Sequence, residues 1–196
     1  MRKTRNRYAT LLLTHIAIRS QGPGFAGRKR SHRRGGTGSL GPLGKIPALE
    51  RSDGPAIYDS RVITRYLDAR LGCGLYPEAP GLWDTLTLEA TADGILDAAI
   101  LMVYEARIRP EDKRFEPWLE GQWIKVSRAL DALESRWMSH LHGPLDMGQI
   151  AVACALGYVD FRHGDRNWRE GRASLAAWEA KFAARDSMQA TIPPQG

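Results

Sequence analysis

Apolar residues follow two rhythms along this chain. Between residues 46 and 58 they form two short runs, 46–49 and 56–58, parted by Ser52-Asp53-Gly54. Two short apolar runs around a turn signal predict a β-hairpin, with Gly54 free to take a positive φ. The spacing changes at Ser60. Val62, Ile63, Tyr66 and Leu67 stand at i, i+1, i+4 and i+5, one face of a helix that Gly72 and Gly74 end. Pro77 and Pro80 predict a stiff connection. From residue 82 onward only the helical rhythm remains. Leu88, Ala92, Ile95, Ala99 and Val103 form one stripe, stopped by Pro110. Trp123, Val126, Leu130, Leu133 and Trp137 form another, the mark of packing between helices.

After Gly143-Pro144 the pattern predicts a capped helix. Asp146 stands where its carboxylate would accept the N–H of Gln149, and Gln149 where it could reach back, a capping-box arrangement. Leu145 and Ile150 occupy hydrophobic-staple positions. The run 151–158 is small and apolar almost all round, which predicts a central helix. Residues 160–172 read as a polar loop. Ser174 is placed to cap a last helix carrying Leu175, Trp178 and Phe182.

Composition divides the chain in two. It has 196 residues, a net charge of +6 and 43% hydrophobic residues. Residues 1–42 hold ten Lys and Arg and no Asp or Glu; residues 43–196 hold eighteen basic and twenty-two acidic. The basic character therefore belongs to the first segment, and a nucleic-acid partner is not expected from the net charge. No run approaches the ~18 apolar residues of a membrane span, so no membrane is expected. The two cysteines, Cys73 and Cys154, are too few for a disulfide framework, and a reduced, cytoplasmic protein is the expectation.

Candidate chemistry gathers around the hairpin. Pro47, at a strand start, has no N–H to donate. It is either an edge-strand proline or the partner in a cis bond that turns the N–H and C=O of Ile46 toward an extended peptide. Asp59-Ser60 begins a helix, where unpaired N–H groups favour a carboxylate. Ser60 would add a hydroxyl and Asp59 a charge for an ammonium; ordinary capping is the alternative. Lys45 either meets a second carboxylate or is solvated. Glu105, Arg107 and Arg109 end the first long helix, where they either face a ligand or satisfy the last carbonyls. His140 and His142 have no cluster of further ligands around them, so no metal site is expected.

Three features fall in family order: Gly-Lys-Ile-Pro-Ala-Leu at 44–49, Asp-Gly at 53–54 followed by Asp59-Ser60, and the capped helix at 146–158. The stretch 39–188 resembles the glutathione S-transferases, bacterial members above all. The resemblance implies an α+β chain, with a thioredoxin-like domain followed by an all-helical bundle. The divisions are an aberrant or disordered basic segment at 1–42, the rest of the thioredoxin-like domain at 43–76, and the helical domain at 82–188. It implies that Lys45, Ile46, Pro47, Asp59 and Ser60 bind glutathione as co-substrate. It also implies that glutathione is conjugated to a small hydrophobic electrophile in detoxification, and that the chain forms a homodimer. The alternative is a transferase-like module that binds protein partners without turnover.

The chain departs from the family where the first βαβ unit should stand. There the family supplies a Ser, Tyr or Cys that favours the glutathione thiolate. Residues 1–42 lack the apolar strand pattern, and nothing places Tyr8 or Ser20 in that role. The first unit reads as missing or aberrant, and no catalytic residue is assigned. A shifted reading frame, a targeting segment and a divergent folded start all stay open as its origin.

Overall fold

The computed structural model describes residues 44–192. Expectations for residues 1–42, including the fate of the first βαβ unit, lie outside the described residues. Two compact units divide the chain, residues 1–74 with 190–196 and residues 75–189.

In the first unit, β1 (Leu49–Arg51) and β2 (Gly54–Ile57) form an antiparallel hairpin, followed by α1 (Ser60–Leu71). Leu49 pairs with Ile57 and Arg51 with Gly54. The first strand begins later than the sequence pattern predicts, because residues 46–48 lie outside the ladder. Gly54 does not use a positive φ. A Cβ there would stand 2.6 Å from an Arg51 guanidinium nitrogen, a clash that the flexible arginine can relieve by moving. That side chain folds across the hairpin and donates to the Pro55 carbonyl at 2.8 Å. Gly72 and Gly74 do adopt left-handed backbone, at φ 61° and 67°, and close α1 as expected.

The second unit is helical throughout: α2 (Gly81–Ile108), a 3-10 turn (Glu111–Lys113), α3 (Glu116–Ala132), a π turn (Leu133–Trp137), α4 (Met138–Leu141), α5 (Met147–His163), a 3-10 turn (Gly164–Arg166), α6 (Ala173–Ala183) and α7 (Asp186–Gln189). Leu88, Ala92, Ile95 and Ala99 are buried along α2; Val126, Leu130 and Leu133 are buried along α3 and the π turn. The central helix is α5. Its small residues let it lie against α2 with the two chains running the same way: Gly148 faces Thr85 and Leu88, and the His163 Nε2 sits 2.9 Å from the Ala99 carbonyl. Because that partner is a carbonyl, His163 carries its proton on Nε2. Desolvation lowers its pKa below the ordinary value, despite the Ala99 bond.

Asp146 caps α5 as expected, accepting the Gln149 N–H at 3.0 Å. The reach-back does not occur. Gln149 Nε2 instead donates to the carbonyls of His140, Gly143 and Pro144, which fastens the preceding loop. Ser174 does not cap the last long helix either. The Ser174 and Leu175 N–H groups donate to Glu134 at 3.1 and 2.6 Å, so the cap comes from forty residues away. Burial works against the charge on Glu134. The bonds from Leu175 and Ser174, with help from Arg172, outweigh it and hold the carboxyl below its usual value. The predicted loop at 160–172 is partly helix: α5 continues through His163, because Val159 and His163 are still buried. The polar Asp160 is used too, accepting from Trp168 Nε1 at 2.8 Å and from Arg169 at 2.6 Å.

Candidate functional site

The sequence reading placed the site at two points, and the hairpin brings both to one end. Pairing of Leu49 with Ile57 fixes the register. Residues 46–48 enter, and residues 58–60 leave, at that same end of the hairpin. The Ile46–Pro47 peptide is cis. Pro47 is buried, whereas Ile46 keeps 36% of its surface and Lys45 is exposed. The Tyr58–Asp59 peptide is cis as well, a feature that no residue in the sequence announces.

At the start of α1, Asp59 is the cap. Its carboxylate accepts the Arg61 N–H at 3.1 Å, and its carbonyl accepts from Val62 and Ile63. Asp59 therefore does perform ordinary capping, and it remains exposed while doing so. Ser60 is buried; its carbonyl accepts the Thr64 hydroxyl at 2.9 Å, which holds the first turn. One end of the hairpin thus presents a strand-edge peptide at Ile46, an exposed carboxylate at Asp59 and the positive end of a twelve-residue helix.

A second concave feature lies within the helical unit, and the sequence reading reached only part of it. A groove of about 450 Å³ is walled by Leu101, Tyr104, Ile108 and Trp118, with the Glu105–Arg109 ion pair beside them. Glu105 is buried and receives Arg109 Nε at 2.8 Å and the Phe115 N–H at 3.1 Å. Arg114, from beyond the helix, donates to the Ala106 carbonyl at 2.7 Å. Tyr104 and Trp118 were missed because their exposure depends on how α2 and α3 diverge, which no local pattern states.

The thiols offer no chemistry. Cys73 is buried, and burial pushes the Cys154 thiol up to about 12. Among the described residues no group of three His, Cys, Asp or Glu side chains could hold a metal ion. No helix among them is long and apolar enough to cross a membrane.

Comparison with known proteins agrees with this architecture. The family model of the glutathione S-transferase N-terminal domain matches residues 21–70, and that of the C-terminal domain matches residues 116–181. The GST-like protein YibF of Escherichia coli (strain K12) is 32% identical over 166 residues, spanning 82% of this chain and 81% of its own length. Among solved structures, a glutathione transferase family member from Pseudomonas fluorescens Pf-5 with bound glutathione is 39% identical. It covers 95% of both chains at a TM-score of 0.80. A structure of a family member from the same organism, with bound S-(propanoic acid)-glutathione, is 49% identical over 79% of both chains, at a TM-score of 0.75. This chain belongs to the glutathione S-transferase family, with a thioredoxin-like region followed by a helical domain.

Proposed function

We propose that this chain binds glutathione through Lys45, Ile46, Pro47, Asp59 and Ser60 and conjugates its thiolate to a small hydrophobic electrophile. The observation that carries the reading is the shared end of the hairpin, where an edge peptide, a carboxylate and a helix N-terminus stand together. Ile46 supplies N–H and C=O to the cysteinyl backbone of the tripeptide, in the manner of an added strand. The start of α1 and Ser60 take the γ-glutamyl carboxylate, Asp59 takes its ammonium, and Lys45 meets the glycyl carboxylate. The relatives in the solved structures hold glutathione or an S-substituted glutathione, which supports that ligand class. In the reaction the thiol proton passes to solvent, a carbon–sulfur bond forms, and a leaving group such as chloride departs with its electron pair. No described residue is assigned to thiolate activation. A homodimer and a cytoplasmic setting belong to the same proposal.

Calorimetry on the full chain with reduced glutathione, followed by turnover of 1-chloro-2,4-dinitrobenzene, tests this. Binding with turnover is expected. Asp59→Asn keeps a capping oxygen but removes the charge, and should weaken glutathione binding about tenfold. Binding without turnover would assign the chain to the non-catalytic class. No heat at millimolar glutathione would sink the proposal.

A further inference from the structure

A side-chain hydrogen bond ties α5 to α2 at each end. At the start, the Thr85 hydroxyl donates to Asp146, the cap of α5, at 2.6 Å. At the far end, His163 Nε2 donates to the Ala99 carbonyl at 2.9 Å. The second tie is an imidazole, the side chain whose charge ordinarily changes close to neutral pH.

His163 is buried where three helices meet. From α2 comes the Ala99 carbonyl. From α3 comes the Trp123 ring, its centroid 6.4 Å from that of the imidazole. The 3-10 turn after α5 brings Arg166 to 5.4 Å over the same indole and into an ion pair with Glu120 of α3 at 2.7 Å. The charges that bear on the imidazole are Asp165, which favours a proton, and Arg166 and Arg162, which oppose it. Among the described residues no carboxylate forms an ion pair with His163, and Glu120 is already taken by Arg166. An imidazolium here would hold its charge away from water without a partner, which is costly. Desolvation is the largest influence on this histidine, and it disfavours the charged form.

We propose that His163 is an acid-sensitive latch on the end of α5: neutral, it joins α2, α3 and α5; protonated, it releases the last turn of α5 from α2 and from Trp123 while the capped start stays in place. The segment that follows is bound within itself, Asp160 by Trp168 and Arg169, and Arg169 by Glu179 of α6. The opening is therefore local. Its direction with pH follows from proton uptake. An unfolded chain protonates this histidine near its ordinary value of 6.5, and the folded chain does so lower. Between the two values the unfolded state holds more protons, so the latch is complete above 6.5 and weakens as pH falls through the folded value.

Urea unfolding of the full chain and of His163→Gln tests this. The glutamine amide keeps a donor for Ala99 and takes up no proton. From pH 7.5 to pH 5.5 the urea midpoint of the parent should fall further than that of the variant. His140, beside Asp146 at the other end of the helix, is common to both chains and cancels. Equal falls would overturn the proposal. A second measurement needs no variant at 163. Nuclear magnetic resonance of the parent follows the His163 imidazole and the Trp123 indole, the latter identified by its loss in Trp123→Phe. Both signals should change together, with a midpoint below 6.5. A His163 midpoint at or above 6.5, or a Trp123 signal that does not follow it, would overturn the proposal. Neither readout involves glutathione, so the outcome is independent of the conjugation reading.

Discussion

Asp146 shows how much one side chain carries. It is buried, caps α5 through one oxygen, and with the other accepts the Thr85 hydroxyl and meets His140 Nε2, both at 2.6 Å. Asp146→Ala should cost about 3 kcal/mol, the sum of a lost cap and stranded donors, read as a lower urea midpoint at unchanged slope. Glu134 performs the same service for α6 and adds a pH signature. Its carboxyl titrates lower in the folded chain than its ordinary value of 4.5. The stability it contributes is thus complete above that value and is lost as pH falls through the lower folded value. Glu134→Gln should be less stable than the parent at neutral pH, and the gap should close on acidification. A constant gap in urea titrations from pH 7 to pH 3 would contradict that assignment.

Among elements, the α2–α5 contact is the most exacting. A Cβ on Gly148 would stand 2.9 Å from Leu88 Cβ and 3.0 Å from the Thr85 carbonyl. Backbone cannot yield as a flexible side chain can, so Gly148→Ala should push the helices apart at a cost of about 1–3 kcal/mol. A thermal melt within a degree of the parent would show the contact to be looser than described. This scale also shows what the sequence can disclose. The hairpin, α1 and the starts of the long helices were legible, because Pro47, Gly72, Pro110 and Asp146 act on their own neighbours. The capping role of Asp59 was legible for the same reason. The cap on α6 was not, since Glu134 is forty residues from its partners. Nor was the full length of α5, whose polar last turn is held by the burial of Val159 and His163 and by the bonds from Trp168 and Arg169 to Asp160.

For the molecule as a whole, charge and ligand mapping are the informative tests. The hairpin end is the proposed glutathione site, so added glutathione should slow amide exchange at residues 45–63. The interior of α5, buried with or without ligand, should not respond. Protection spread evenly over all helices, with none at 45–63, would contradict the assignment of Ile46, Asp59 and Ser60.

The π turn at Leu133–Trp137 has a bearing on ancestry. Leu133 and Leu141 are both buried, yet they lie eight positions apart, about 80° out of phase on a regular helix at about 100° per residue. The wide turn absorbs most of that offset and returns both leucines to one side. A sister sequence with ordinary winding here would keep the same two contacts with one residue fewer. Single-residue gaps between homologues should therefore collect at 133–137, and an alignment that refuses a gap there would misassign the side chains that follow.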